Sequence, residues 1–279
     1  MNPKFLKERL MEFIKEDIHF EDITSKIIPP KKIRAGILLK EAGVVAGINE
    51  VTLLFSLFNV KVLSSVKDGF VVPNSKRIML IQGNAQDILL LERTALNILS
   101  KMSGVATLTK EYVSRAKKVN PKITVAATRK TTPGFRYFEK RAVEIGGGDS
   151  HRMGLSDMLM IKDNHLKILK GVKNALDTAK DKKAFAHKLE IEVSNKKDAL
   201  TAAKFKPDII MLDNMNPKKI KQTLLQLSGQ NLRKNIIIEA SGGVNLDNIA
   251  EYARSGVDVI STGQLTSNYK ALNISLEVI

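Results

Sequence analysis

The sequence contains no cysteine in its 279 residues, which excludes disulfides, thiolate metal sites and a cysteine nucleophile. No apolar run approaches the roughly 20 residues that a membrane-spanning helix needs. The opening residues, Met1-Asn2-Pro3-Lys4-Phe5, lack the charged-then-apolar pattern of a secretory leader, so a cytoplasmic protein is expected. Acidic residues are scarce beside basic ones: 29 against 45, a formal charge of +16. Such an excess suits a nucleic-acid or membrane surface, polyanionic substrates, or simply a solvated lysine-rich exterior. The clusters Lys180, Lys182, Lys183 and Lys218, Lys219, Lys221 fall on amphipathic helical patterns with few aromatic residues between them. They read as solvated faces.

What remains is an ordinary globular composition, 43% hydrophobic and 27% charged, long enough for one barrel or two modest domains. Leu6, Leu10, Phe13 and Ile14 recur at helical spacing from Pro3 to Asp17. Strand patterns follow at Ile33 to Glu41, Val60 to Val66 and Lys76 to Gln82, with a helical stretch from Glu50 to Phe58. This mixture predicts a small α+β layer. Asn84 caps a long helix whose buried stripe includes Ile88, Leu91, Ala95, Ile98, Leu99 and Met102. Arg93 lies off that stripe, where an isolated arginine is ordinarily a surface residue. Gly104 interrupts the pattern; a second helix is expected to about Val119, with a domain boundary at the glycine.

Beyond Pro121 the texture becomes alternating. Strands are expected at Ile123–Ala127, Met158–Ile161, Leu189–Val193, Ile209–Leu212, Ile236–Glu239 and Val257–Ser261, with helices at Leu166–Ala179, Lys196–Ala203, Pro217–Leu227 and Leu246–Arg254. Short apolar strands separated by amphipathic helices indicate a parallel sheet covered by helices. Six or seven strands allow an incomplete α/β barrel, and an open doubly wound sheet is the alternative. The last residues, Leu272 to Ile279, alternate like a strand returning to the first domain.

Ligands bind at the carboxyl ends of strands in both folds. Here those ends carry Thr128, Arg129, Lys130, Lys162, Glu192, Asp213, Asn214, Glu239, Ser241, Gly242, Gly243, Thr262 and Gly263. The glycine turns let backbone N–H groups approach a phosphate. Glu192 and Asp213 suit Mg²⁺, which takes one or two carboxylates plus substrate phosphate oxygens. Lys130 and Lys162 can neutralise a diphosphate, and Arg129 and Arg152 can grip carboxylates bidentately. Plainer readings exist: glycine turns are common, Glu192 can be a paired structural carboxylate, and His151 a satisfied buried histidine. Gly146-Gly147-Gly148 lacks the spacing and strand-first context of a dinucleotide fingerprint. Together the set points to a phosphate-bearing substrate, a metal and a second anionic substrate.

The run Thr128-Arg-Lys-Thr-Thr-Pro-Gly, the segment Gly146-Gly-Gly-Asp-Ser-His-Arg and Ile161-Lys-Asp-Asn-His resemble the quinolinate phosphoribosyltransferases, the decarboxylating nicotinate-nucleotide pyrophosphorylases. The resemblance continues through Glu21-Asp-Ile-Thr-Ser, Glu92-Arg-Thr-Ala-Leu-Asn, Ser103-Gly-Val-Ala-Thr, Glu190-Ile-Glu-Val, Met211-Leu-Asp-Asn-Met, Glu239-Ala-Ser-Gly-Gly and Gly263. It implies an N-terminal α/β sandwich over residues 1–104, joined by a strand at 271–279, and an incomplete barrel over 105–270. It also implies a homodimer or a dimer-based hexamer. By resemblance, quinolinate is held by Arg93, Thr128, Arg129, Lys130, His151 and Arg152, with Arg93 arriving from the partner subunit. Lys130, Lys162, Glu192 and Asp213 handle phosphoribosyl pyrophosphate, the last two through Mg²⁺, and Ser241, Gly242, Gly243 and Gly263 take the 5-phosphate. Ser150 stands where asparagine is usual, and Ala240 where serine is common. Neither change removes a charge. A relative associated with molybdenum transport shares the Arg-Lys-Thr and glycine motifs but usually lacks the Ile-Lys-Asp-Asn-His element, so Lys162 favours the quinolinate enzyme. A basic nucleic-acid-binding module is the rival from another class. It predicts salt-steep binding that survives Glu192→Ala.

Overall fold

The computed structural model describes residues 2–18 and 20–279. The chain divides into two compact units: Met1–Lys110 with Pro133–Gly147 and Tyr269–Ile279, and Glu111–Thr132 with Gly148–Asn268.

In the first unit four strands form an antiparallel sheet in the order Ile274–Val278, Lys32–Leu39, Lys76–Asn84, Lys61–Ser65. The terminal strand sets Leu276 opposite Ile37, so the chain's end returns to the first unit. Helices Pro3–Asp17 and Ile48–Ser56 belong to this unit. Asn84 starts the next helix as expected, its Oδ1 accepting the Gln86 N–H at 3.0 Å. That helix then departs from the sequence reading. It runs unbroken from Ala85 to Lys117, through Gly104, where an interruption was expected. The glycine serves packing instead: a Cβ there would strike the Lys270 carbonyl oxygen and come within 3.0 Å of the Tyr269 ring. Only hydrogen lets the returning chain lie so close.

Pro133–Gly147 also groups with the first unit. The reason is aromatic packing on helix Arg136–Ile145. Phe138 is fully buried, with its ring centroid 5.3 Å from Phe13 and 4.8 Å from Phe135.

The second unit carries six parallel strands: Thr124–Ala127, Met158–Ile161, Lys188–Val193, Ile209–Asp213, Ile237–Ser241 and Val259–Thr262. In the sheet the second to sixth follow one another in chain order, and the sixth pairs with the first. A doubly wound sheet reverses direction around an interior first strand. Here the order is cyclic, as in a barrel, and breaks only between the first and second strands. Beside that break Asp149 makes a parallel bridge to Ala126. The six-stranded incomplete barrel is therefore the fold, and the open-sheet alternative is set aside. Side-chain caps start two of its helices: Asn195 accepts from the Asp198 N–H and Asn216 from the Lys219 N–H, each at 2.9 Å. The single helix expected at Leu166–Ala179 is two, Asp163–Ile168 and Val172–Lys182. They part at Lys170 and Gly171, both at positive φ (57° and 115°).

Candidate active site

Successive residues of a strand point to opposite faces. In the strand Lys188–Val193, Ile191 and Val193 are buried on one face while Glu190 and Glu192 share the other. By the same alternation Met160 and Lys162, Met211 and Asp213, and Glu239 and Ser241 share a face. The register sets Glu192 and Glu239 beside Met211, and Ser241 beside Asp213. Most of these side chains line one cavity of about 490 Å³ at the strands' carboxyl ends.

One wall of the cavity is cationic. Arg129 and Lys130 follow the first strand, Lys162 follows the second, and Arg152 lies on the loop between them. Burial lowers the pKa of Arg152, and the neighbouring Arg129 guanidinium lowers it further. Among the described residues, Arg129 Nε is buried without a hydrogen-bond partner. Glu190, Asp157 and Glu192 offset part of this effect on Arg152, and two guanidiniums set side by side favour an anion that joins them. Lys130 owes its place to small neighbours. Thr128 Oγ1 accepts its N–H at 3.1 Å, Thr266 Oγ1 donates to its carbonyl at 2.7 Å, and a Cβ on Gly263 would lie 2.9 Å from its Cδ.

The rest of the cavity lining is acidic and glycine-bearing. Lys162 Nζ donates to Glu192 Oε2 at 2.6 Å, and Asn214 Nδ2 donates to Asp213 Oδ2 at 2.6 Å. These are hard oxygen ligands on neighbouring strands, a donor set that fits Mg²⁺. Asn214 stands at φ 52° and its N–H donates to the Ser241 carbonyl at 2.9 Å. Gly242 packs directly on it: at φ +85°, a Cβ would strike Asn214 Oδ1 and lie 2.8 Å from Asn214 N. Gly242 is thus required twice over, by conformation and by contact.

Deeper in the barrel lie Glu190 and Glu239, 0% and 1% exposed. Burial, and then the charge of Glu239, pushes the Glu190 carboxyl well above the usual range. His151 Nε2 sits 3.1 Å from Glu239 Oε2 and 3.8 Å from Glu190 Oε2.

A family profile described as the quinolinate phosphoribosyl transferase C-terminal domain matches residues 105–277, and its N-terminal counterpart matches residues 17–103. The chain belongs to the quinolinate phosphoribosyl transferase family. A relative from Methanothermobacter thermautotrophicus, named as a probable nicotinate-nucleotide pyrophosphorylase (carboxylating), is 44% identical over 96% of this chain and 97% of its own. The Rattus norvegicus nicotinate-nucleotide pyrophosphorylase (carboxylating) is 34% identical over 99% of this chain and 92% of its own. The crystal structure of NadC from Streptococcus pyogenes superposes with a TM-score of 0.91 at 34% identity, covering 100% of this chain and 99% of that one.

Within this quinolinate phosphoribosyl transferase, all the site residues expected from sequence line the cavity except Arg93 and Gly263. Gly263 contributes by leaving room for Lys130. Arg93 is exposed on the helix Ala85–Lys117, in the first unit. Sequence reading left Glu190, Glu239, Asn214 and Ser261 without roles. The signal for the two glutamates was there: Glu190-Ile-Glu192 and Glu239-Ala-Ser241 each repeat a polar residue at the two-residue period of one strand face.

Proposed function

We infer that this family member transfers the phosphoribosyl group of phosphoribosyl pyrophosphate to quinolinate with loss of CO₂, giving nicotinate mononucleotide and pyrophosphate. The observation that carries the reading is the adjacent pair Arg129 and Arg152, with Arg129 Nε buried and lacking a hydrogen-bond partner, in one cavity with carboxylates and glycine turns. A dicarboxylate fits the arginines, and a metal-bound diphosphate with its sugar 5-phosphate fits the carboxylates and glycine turns.

On this reading Arg129, Arg152 and Lys130 hold the pyridine dicarboxylate, with Thr128 and His151 shaping its subsite. Ser241, Gly242 and Gly243 receive the 5-phosphate through their backbone turn, and Gly263 gives Lys130 its space. Glu192 and Asp213 are the residues that would hold Mg²⁺, which supplies charge neutralisation for the departing pyrophosphate. Lys162, hydrogen-bonded to Glu192, orients that carboxylate and adds positive charge at the leaving group. The ring nitrogen attacks C1 of the ribose as the C1–O bond breaks. The quaternised nitrogen then accepts the electron pair of the breaking bond to the C2 carboxylate, CO₂ departs, and C2 takes up a proton. The protein's main contribution is to hold two polyanions together against their repulsion.

Arg93, exposed on its helix, is read as completing the site of a partner subunit, which makes a homodimer, or a hexamer built from dimers, the working enzyme in the cytoplasm. Mixing Arg93→Ala with Lys162→Ala tests this. Two inactive preparations that regain activity on subunit exchange support a shared site, and additive inactivity counts against it. The activity itself is tested by incubating the protein with Mg²⁺, phosphoribosyl pyrophosphate and either quinolinate or nicotinate, following CO₂ and mononucleotide. Quinolinate is the expected acceptor. Turnover of nicotinate with none of quinolinate overturns the reading.

A further inference from the structure

The floor of the cavity brings a nitrogen of His151 and carboxylate oxygens of Glu190 and Glu239 within 4.8 Å of one another. A half-buried histidine with two buried carboxylates has the composition of a metal site. The backbone decides otherwise. The Arg152 N–H donates to His151 Nδ1 at 2.8 Å, and a ring nitrogen that accepts carries no proton. The proton of the neutral ring is therefore on Nε2, the nitrogen 3.1 Å from Glu239 Oε2. A metal at Nε2 would require an imidazolate. An imidazolium would require a proton on Nδ1 and would break the bond from Arg152. Both ring nitrogens are committed to the protein.

The groups around this ring are placed to hold it so. Glu239 is 1% exposed, and its other oxygen, Oε1, accepts from Ser261 Oγ on the neighbouring strand. His151 itself is at φ 52°, a left-handed conformation that costs about 1 kcal/mol or more for a residue with a side chain. Its own N–H is held by Asp149 Oδ1 at 2.6 Å. The sequence Ser261, Glu239, His151, Arg152 is thus a continuous chain of hydrogen bonds, running from the last barrel strand to the backbone of an arginine on the cationic wall.

We propose that Glu239 is a positioning residue: through a neutral His151 protonated at Nε2, it fixes the backbone of Arg152 and so the dicarboxylate subsite. His151 then acts by holding Arg152 rather than by charge. This rests on the proposed function for its substrate but not for its geometry. The expected consequence is one-sided. Glu239→Ala raises the KM for quinolinate roughly tenfold, the worth of one well-placed hydrogen bond, and leaves the KM for phosphoribosyl pyrophosphate unchanged. Glu239→Gln, whose carbonyl oxygen still accepts from Nε2, recovers most of that loss. Ser261→Ala, a milder cut in the same chain, raises the quinolinate KM less.

Two measurements test it. Nitrogen-15 spectra of the resting protein, with the His151 signals assigned by their loss in His151→Gln, report which ring nitrogen carries the proton. A bare Nδ1 with a protonated Nε2 in the wild type and in Glu239→Gln supports the proposal. A protonated Nδ1 at neutral pH overturns it, whatever the enzyme's substrate. Steady-state kinetics of the three variants supply the second test. An equal rise in both KM values in Glu239→Ala and Ser261→Ala indicates general structural damage and overturns it, as does an unchanged quinolinate KM. A wild type that ignores quinolinate defeats the proposed function alone, because the spectra still decide the tautomer.

Discussion

Lys162 Nζ lies 2.6 Å from Glu192 Oε2, which joins the ends of the second and third barrel strands across the mouth of the cavity. The lysine side chain is 42% exposed and that of the glutamate 14%, so the pair contributes at most about 1 kcal/mol to stability. Its value lies in the chemistry. Lys162→Ala is expected to lower kcat/KM by on the order of 100-fold or more with little change in thermal unfolding. Parallel kinetics and calorimetry check both halves, and near-normal turnover in the variant removes Lys162 from the mechanism.

Arg152 and Arg129 repel each other in the resting site, so a dianion that joins them should raise the unfolding temperature through linkage. Quinolinate is expected to stabilise the wild type in thermal shift experiments, and Arg152→Lys much less. Lysine keeps the charge but loses the planar fork. Equal stabilisation of both proteins shows that the fork is not used.

At Gly104 the helix scale and the packing predict opposite signs. Alanine in a helix interior is ordinarily about 1 kcal/mol better than glycine. Here its methyl group meets the Lys270 carbonyl oxygen and the Tyr269 ring, so Gly104→Ala should destabilise by about 1–3 kcal/mol. Urea unfolding measures the sign directly, and a stabilised variant refutes the close approach of the returning chain.

Glu50 is 2% exposed, and burial foremost, with Asp68 adding to it, raises its pKa. Tyr137 Oη, whose own pKa is pushed up to about 12, lies 3.3 Å from Glu50 Oε1. The folded state holds the Glu50 proton above the pH at which the unfolded chain releases it. Stability from this group is therefore full below the unfolded pKa of about 4.3 and is lost as pH rises through the folded value. Glu50→Gln should flatten that decline and gain on the wild type at pH 8 relative to pH 4. Denaturant midpoints at the two pH values check it, and parallel curves rule it out.

Much of the site was legible because barrels place function at strand ends, and strand ends are a local property. The apolar runs before Arg129, Lys162 and Asp213 marked where those side chains would converge. Glu190 and Glu239 were visible as letters but not as neighbours. Their buried pairing depends on the register of three separate strands and on His151, on a loop, turning its ring toward them. The break expected at Gly104 shows the converse failure. Propensity read the glycine as the end of a helix, because the group it makes room for, Lys270, lies far along the chain.

The sequence by itself determined the α/β character, the strand and helix periods, and the charged residues that crowd the strand ends. Each of these follows from interactions within a few residues of chain. The cyclic strand order, the return of the last strand to the first unit and the meeting of His151 Nε2 with Glu239 were decided only by tertiary structure. Each depends on which distant groups meet, and no local period carries that information.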